Sequence, residues 1–304
     1  MTTRPWRRMR FVGVSTAQSS IMTVFPRWSQ LLDLNADLVG LDVPLNASPL
    51  RYRQVVAELR DDPSCVGALV TTHKIGMYEA ASDLFARLDE FAVTCGEVSS
   101  VSVRDGQVYG AAKDPLTAAL SLQEVLAPDH FTGGAEVLCL GAGGAGTAIG
   151  WYLTQRPDVP QVLRFIDTVP QRLSHLAAVV ARHRTAAKIE TGLLGEVDLR
   201  QLLGDLPPSS LVINATGMGK DRPGSPLPPG AVLPERAVVW ELNYRGALDF
   251  LQQARAQQAR RDLTVVDGWR YFIHGWSQVV GDVFDIDMTP DLVDALGVAA
   301  EPTR

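Results

Sequence analysis

Residues 141–146 read Gly141-Ala142-Gly143-Gly144-Ala145-Gly146, a Gly-x-Gly-x-x-Gly run. Alone, that spacing is a weak signal. Here a compact apolar stretch at 136–140 (EVLCL) runs straight into it, and Ala148, Ile149, Tyr152 and Leu153 follow at the spacing of one helix face. Strand, glycine turn and helix in that order suit the pyrophosphate of a dinucleotide. The first glycine makes the tight turn, the second lets the backbone approach the phosphates, and the third packs helix on strand. The helix N-terminus adds free N–H groups and the positive end of its dipole. Asp167 follows the next strand-like run, 162–166, 21 residues after Gly146, where an acidic side chain accepts hydrogen bonds from ribose hydroxyls. A carboxylate there opposes the 2′-phosphate of NADP at a cost on the order of a few kcal/mol. At about 1.4 kcal/mol per tenfold, that is a preference of tens- to hundreds-fold for NAD. Arg172 is the counter-signal, since it could swing over a 2′-phosphate, and NADP stays open as the alternative cofactor.

The elements that must position these residues alternate. Runs at 10–14, 37–43 and 66–71 predict strands, and 23–32, 52–59 and 77–88 predict helices between and after them. Strands separated by helices of about ten residues indicate βαβ units and a parallel sheet. A hairpin follows, with 99–103 and 107–109 flanking Arg104-Asp105-Gly106, an Asp-Gly turn signal. A helix at 116–126 leads to Pro128 and Gly133-Gly134, which mark a boundary, and the strand pattern restarts at 136–140, 162–166, 211–214 and 237–241. Residues 223–234 are a proline-rich surface loop. The fold class is α/β.

The 304 residues are 46% hydrophobic and 20% charged, a globular composition with enough chain for a core that needs no metal or disulfide. Thirty-four acidic against 28 basic residues leave a net charge of −6, which argues against a nucleic-acid partner. Cys65, Cys95 and Cys139 are too few and scattered for a disulfide framework or a zinc site, and they read as buried small side chains in a reducing compartment. No metal is expected. No apolar run approaches the roughly 18–20 residues that span a bilayer. The basic start (Arg4, Arg7, Arg8, Arg10) is followed by only a brief apolar run at 11–14, so it reads as a frayed tail rather than an export signal. The expected setting is the cytoplasm, with a small-molecule substrate, no membrane partner, and a monomer or homodimer.

Several further segments, in order along nearly the whole chain, resemble the shikimate/quinate dehydrogenase family. Thr72-His73-Lys74 is similar to the end of its VTxPHK motif, residues 96–101 (GEVSSV) to GAVNTV, and residues 110–114 (GAAKD) to GxNTD. Residues 141–146 match its GAGGA-type turn, Asn214-Ala215-Thr216 opens its NATxxGM loop, residues 241–244 (ELNY) resemble DxxY, and Asp267-Gly268 opens its last substrate helix. The resemblance implies two domains with the active site in the cleft between them. Residues 1–115, joined by C-terminal helices at about 270–304, would form an α/β substrate domain. Residues 116–269 would form a Rossmann-like NAD(P)-binding domain with a parallel sheet. It implies cofactor contacts at Thr216 and Gly268 and substrate contacts at Ser19, Thr72, Ser99 and Tyr244.

It also places Lys74 and Asp114 at the positions of the family's catalytic pair. The chemistry fits, because hydride transfer at a secondary alcohol requires that the hydroxyl proton be removed, and the reverse requires that one be donated. Burial would lower the lysine's pKa toward neutrality, while the carboxylate opposes that shift and orients the ammonium. His73 reads as a packing residue rather than the base. The departures bear on the substrate. Ser99 and Ala112 stand where the family has two asparagines for shikimate's hydroxyls, and Gly275 where it has a glutamine, with Gln278 one turn away. The serine-rich carboxylate site survives only as residues 15–20 (STAQSS). Each unmatched buried hydroxyl costs roughly 1–3 kcal/mol. Lys113, Glu97, Arg270, Tyr271 and His274 are new polar or bulky features, read equally as packing, surface or ligand contacts. The expected activity is therefore hydride transfer on a cyclic hydroxy acid or cyclitol-like substrate other than shikimate. The alternatives are a genuine shikimate dehydrogenase with drifted contacts and a catalytically silent dinucleotide or metabolite sensor.

Overall fold

The computed structural model describes residues 5–182, 184–220 and 222–303; Arg4 of the basic start lies outside them. The chain divides into two compact units, one running to Thr117 and resuming at Ile273, the other Ala118–Phe272. The units part inside the helix Asp114–Val125, ahead of the boundary expected near Pro128. Pro128 and the two glycines instead belong to the loop that feeds the second unit's first strand.

The first unit is built on a six-stranded mixed sheet. Its strands are β1 (Arg7–Gly13), β2 (Ala36–Asp42), β3 (Cys65–Val70), β4 (Arg87–Leu88), β5 (Ser100–Arg104) and β6 (Gln107–Ala111), in the order β2-β1-β3-β5-β6-β4. The parallel β1/β2 and β1/β3 pairs require crossovers, which the helices Ile21–Leu31 and Pro49–Asp61 supply. The β5–β6 hairpin turns through Asp105 (φ 51°) and Gly106 (φ 70°), the left-handed pair that a tight two-residue turn needs. Val55, Val56 and Leu59 of the helix Pro49–Asp61 close over Val12, Ala68 and Val70, so the sequence spacing and the packed face agree.

Two expectations in this unit need correction. The basic start is not a frayed tail: Arg7, Arg8 and Arg10 lie in β1, and Arg10 pairs with Asp62 at 3.3 Å. Unlike charges on adjacent elements offset the cost of placing three arginines in one strand. The helix predicted over 77–88 is the helix Lys74–Ala81, then a short 3-10 turn, then edge strand β4. Phe85 and Leu88 lie over Gly110, where a Cβ would come within 2.7 Å of the Leu88 side chain, so the sheet edge captures residues that helical spacing alone would continue.

The second unit has a six-stranded, wholly parallel sheet: β7 (Val137–Leu140), β8 (Val162–Asp167), β9 (Lys188–Leu193), β10 (Leu211–Asn214), β11 (Val238–Glu241) and β12 (Thr264–Val266). Its order, β12-β11-β10-β7-β8-β9, is that of the doubly wound dinucleotide fold, in which the order reverses between the first and fourth strands. Successive residues of β7 point to opposite faces. Val137 and Cys139 join the core that includes Ile149, Leu153 and Phe165, whereas Leu138 and Leu140 join the one that includes Leu203, Val239 and Phe250. A sheet buried on both faces needs such uniformly apolar strands. Strands β9 and β12 are half exposed and lacked a readable pattern. Among the described residues no helix is long and apolar enough to cross a membrane, and no cluster of three or more His, Cys, Asp or Glu could hold a metal.

Candidate active site

Lys74 opens the helix Lys74–Ala81 and Asp114 opens the helix Asp114–Val125. The Lys74 ammonium donates to Asp114 Oδ2, with both side chains largely but not wholly buried. Asp114 sits in the first turn of its helix, where the dipole favours a negative charge. Burial works to lower the Lys74 pKa, but the negative charge of Asp114, that of Glu97 once it ionises, and the hydrogen bond to Asp114 outweigh it, and the net shift is upward. That corrects the expected drop toward neutrality: burial among carboxylates stabilises an ammonium rather than discharging it.

Glu97 completes the surroundings of the pair. It is 1% exposed, its Oε1 finds no hydrogen-bond partner among the described residues, and burial pushes its carboxyl up to about 8. His73, next to Lys74, is buried. Its Nε2 faces the Val43 carbonyl at 2.9 Å and its Nδ1 the Tyr52 hydroxyl at 3.0 Å. A carbonyl only accepts, so Nε2 carries the proton and Nδ1 accepts from Tyr52. Both nitrogens are engaged, as a packing role requires.

The other sequence candidates in this unit divide. Thr72 is exposed in the turn before Lys74, and Ser19 is half-buried at the end of the short 3-10 turn Thr16–Gln18. That turn is tied down by Thr16, whose backbone N–H and hydroxyl both donate to Asp42 Oδ1, at 2.9 and 2.6 Å. Ser99 is buried, and its Oγ accepts from the Lys113 backbone N–H at 2.7 Å. Ala112 is fully buried, its N–H donating to Asp89 Oδ1 at 3.1 Å. A Cβ added at Gly275 would meet only Thr117 Cγ2, at 3.7 Å, an ordinary contact. Lys113 is drawn to Asp282 at 3.0 Å.

In the second unit, Gly141 takes φ 107°, and a Cβ there would lie 2.6 Å from the Ala215 carbonyl; a Cβ on Gly146 would lie 2.1 Å from the Gly141 carbonyl. Gly143 differs from both, since nothing lies within 4 Å of where its Cβ would be. It caps the helix Gly144–Gln155 with no side-chain bond to the first turn. The first and third glycines are thus needed for close packing, and the second opens onto space beside unbonded helix N–H groups. That arrangement fits a dinucleotide's pyrophosphate. Ala142 and Ala145 lie within the same turn and first helical turn.

Asp167 ends β8, buried, with Oδ2 accepting from Ala142 N–H at 2.7 Å and Oδ1 from Val169 N–H at 2.9 Å. It therefore fastens the glycine turn to the next strand. The Arg172 guanidinium lies 3.8 Å from Oδ1. Gly143, Asp167, Arg172, Thr216 and Arg222 line one groove, at the carboxyl ends of β7, β8 and β10, the switch point of the sheet. Arg222 is the residue that spacing did not single out; its guanidinium donates to the Thr216 carbonyl at 2.8 Å, a contact that only the folded loop creates.

The loop after β10 is held by a buried network. Glu241 accepts from the side-chain amides of Asn214 and Asn243, each at 2.7 Å, and from the Asn243 backbone at 2.8 Å. Asn214 Oδ1 in turn accepts from the Thr216 hydroxyl at 2.7 Å. Burial nevertheless pushes the Glu241 carboxyl up to about 7. Gly268 is buried against the Leu242 carbonyl, 2.0 Å from a Cβ position, a close backbone approach. Tyr244 packs on Trp269 and Phe272. Arg270 is paired with Glu124 in a largely exposed ion pair, and Tyr271 sits edge-on to Trp240.

Comparison with known proteins settles the class. The shikimate dehydrogenase (NADP(+)) of Mesorhizobium japonicum is 30% identical over 227 residues, 74% of this chain and 72% of the relative. The chain belongs to the shikimate dehydrogenase family. That family places it among NAD(P)-dependent oxidoreductases acting on CH–OH groups. Two solved structures share the fold over almost their whole lengths. Quinate dehydrogenase from Corynebacterium glutamicum in complex with NAD gives a TM-score of 0.72 at 18% identity, covering 98% of this chain and 99% of that one. Ligand-free 5-ketofructose reductase of a Gluconobacter strain gives 0.70 at 21% identity, covering 99% of each. No protein-family model matches the chain.

Proposed function

We propose that this oxidoreductase moves hydride at a secondary alcohol or ketone of a cyclic hydroxy acid or cyclitol-like substrate other than shikimate, with Lys74 and Asp114 as the proton-transfer pair. The observation that carries the reading is the Lys74–Asp114 ion pair, formed between the first residues of two helices. A bound nicotinamide dinucleotide supplies the hydride acceptor or donor. The chain's own residues handle the proton. In ketone reduction Lys74 donates from its ammonium to the developing alkoxide while Asp114 holds the amine in place; in alcohol oxidation the proton returns to Lys74. The upward shift of Lys74 makes the ammonium its resting form, the one that ketone reduction needs.

Gly143, with its open side, and the N-terminal turn of the helix Gly144–Gln155 would receive the pyrophosphate, with Thr216 and Arg222 across the groove. NAD is proposed as the preferred cofactor because the Asp167 carboxylate stands in that groove with Arg172 drawn toward it. The name of the Mesorhizobium relative carries NADP(+), which makes the ratio of the two affinities worth measuring directly.

The residues at three altered positions support a substrate other than shikimate. Ala112 offers no side-chain polar group, Gly275 has none, and the Ser99 oxygen already accepts from Lys113. The curated relative's name favours shikimate as the second reading, and the solved structures named for quinate and 5-ketofructose carry the same fold onto other polyols. A spectrophotometric screen with NAD(H) and NADP(H) against shikimate, quinate, their keto forms, amino analogues and common cyclitols tests the proposal. Best turnover on a compound other than shikimate supports it; efficient shikimate oxidation overturns the substrate assignment, and no turnover on any overturns the enzyme reading.

A further inference from the structure

Resting on the reading of Lys74 and Asp114 as a proton-transfer pair, we propose that Glu97 is a positioning residue that sets the charge state of that pair. Its place is fixed by local structure. Gly96 caps the helix Glu90–Cys95 in the left-handed region, at φ 64°, and turns the chain so that the Glu97 N–H donates back to Ala92. The next N–H, of Val98, donates to the Lys74 carbonyl at 3.1 Å. Glu97 is thereby lodged beside the first residue of the lysine's helix, in a position where the motif this segment resembles has alanine.

The charges around it do not balance if all are ionised. Lys74 is the cation facing Glu97, whereas Asp114 and Asp89 face it as carboxyls. Asp114 accepts directly from the ammonium. Asp89 Oδ1 accepts from the backbone N–H groups of Ala92 and Ala112, at 2.7 and 3.1 Å, with Lys113 and Asp282 beyond it. Glu97 alone keeps a buried oxygen with no donor among the described residues. A buried carboxyl with one oxygen that no donor reaches, beside a second carboxylate already paired to the available ammonium, holds its proton. Its pKa of about 8 agrees with that geometry.

The consequence has a definite sign. Below about pH 8 Glu97 is neutral, and the Lys74–Asp114 pair is electrically balanced. Above it, Glu97 releases its proton to solvent and adds a negative charge beside Lys74, which then holds its own proton more tightly. The alkaline supply of neutral Lys74, the form that alcohol oxidation requires, is therefore held back by Glu97.

Competitive labelling of Lys74 with 1-fluoro-2,4-dinitrobenzene, read by peptide mass spectrometry, tests this without any turnover. Rates are compared at pH 7 and pH 9.5 for the wild type, Glu97→Gln and Glu97→Ala, the alanine serving as the variant whose size the fold is expected to tolerate. Only neutral amine reacts, and one pKa unit is tenfold in its supply. At pH 9.5 Lys74 should label about tenfold faster in both variants than in the wild type, while at pH 7, where wild-type Glu97 is protonated, rates should agree within about twofold. Equal rates at both pH values overturn the proposal. So does an equal increase at both, which would mean only that Lys74 had become more exposed. Loss of the proton-transfer reading would show separately, as undiminished turnover of Lys74→Ala.

Discussion

Replacing Gly143 with alanine isolates cofactor binding from folding. The residue has φ −72° and ψ −167°, a conformation alanine adopts without strain, and its added methyl meets no protein atom within 4 Å. Folding should change by less than about 1 kcal/mol, since the entropy gained by restricting the unfolded chain roughly offsets a poorer helix cap. Binding is different. A phosphate oxygen bonded to a backbone N–H sits about 2.9 Å from the nitrogen, and the new methyl occupies the approach. Affinity for NADH and NADPH should fall by about tenfold to a hundredfold, or roughly 1.4–3 kcal/mol. Gly146→Ala is the contrasting control. Its Cβ would lie 2.1 Å from the Gly141 carbonyl, so backbone must move, at about 1–3 kcal/mol, and Tm should drop by roughly 2–4 °C per kcal/mol. Calorimetric titration and thermal melts of both variants give the answer. Wild-type dinucleotide affinity in a folded Gly143→Ala protein would refute the pyrophosphate seat.

Four further outcomes are expected. Asp167→Ser should narrow or reverse the proposed preference for NAD, more through NADP gaining than NAD losing, and calorimetry showing tighter NADP in the wild type would overturn the repulsion argument. Glu241→Gln should flatten the pH dependence of stability: the folded carboxyl titrates near 7 against an ordinary 4.5, so its contribution is full below about pH 4.5 and is lost as pH rises through 7, a change on the order of a few kcal/mol, measured by urea melts across that window. Gly275→Gln, whose Cβ has room, should raise shikimate turnover if residue 275 borders the substrate; Ala112→Asn should instead destabilise the fold, because residue 112 is fully buried.

The glycine turn was legible because its first and third glycines answer a local steric demand, and the strands β7 and β10 were legible because sheets covered on both faces need uninterrupted apolar runs. The half-exposed β9 and β12 carry no such demand, and their residues, KIETGL and TVV, read as ordinary surface. Sequence spacing also marked Lys74 and Asp114, through resemblance to a family. It could not give the sign of the lysine's shift, which depends on how many carboxyls the fold gathers around it. Glu97 stood out only as an odd residue in a motif; its significance comes from burial and from an oxygen with no donor, neither of which spacing can encode. Arg222 reaches the groove through a loop held by Asn214, at its start, and by Glu241 from the next strand.

The central claim, that Lys74 moves the proton for a dinucleotide-linked dehydrogenase, is tested most directly by single-turnover hydride transfer with the best substrate of the screen, comparing wild type and Lys74→Ala at saturating cofactor. The account predicts a fall in the rate of at least about a hundredfold, the scale of losing a general acid–base, with the dinucleotide Kd nearly unchanged and Asp114→Asn less impaired. Near-full activity of Lys74→Ala would contradict it.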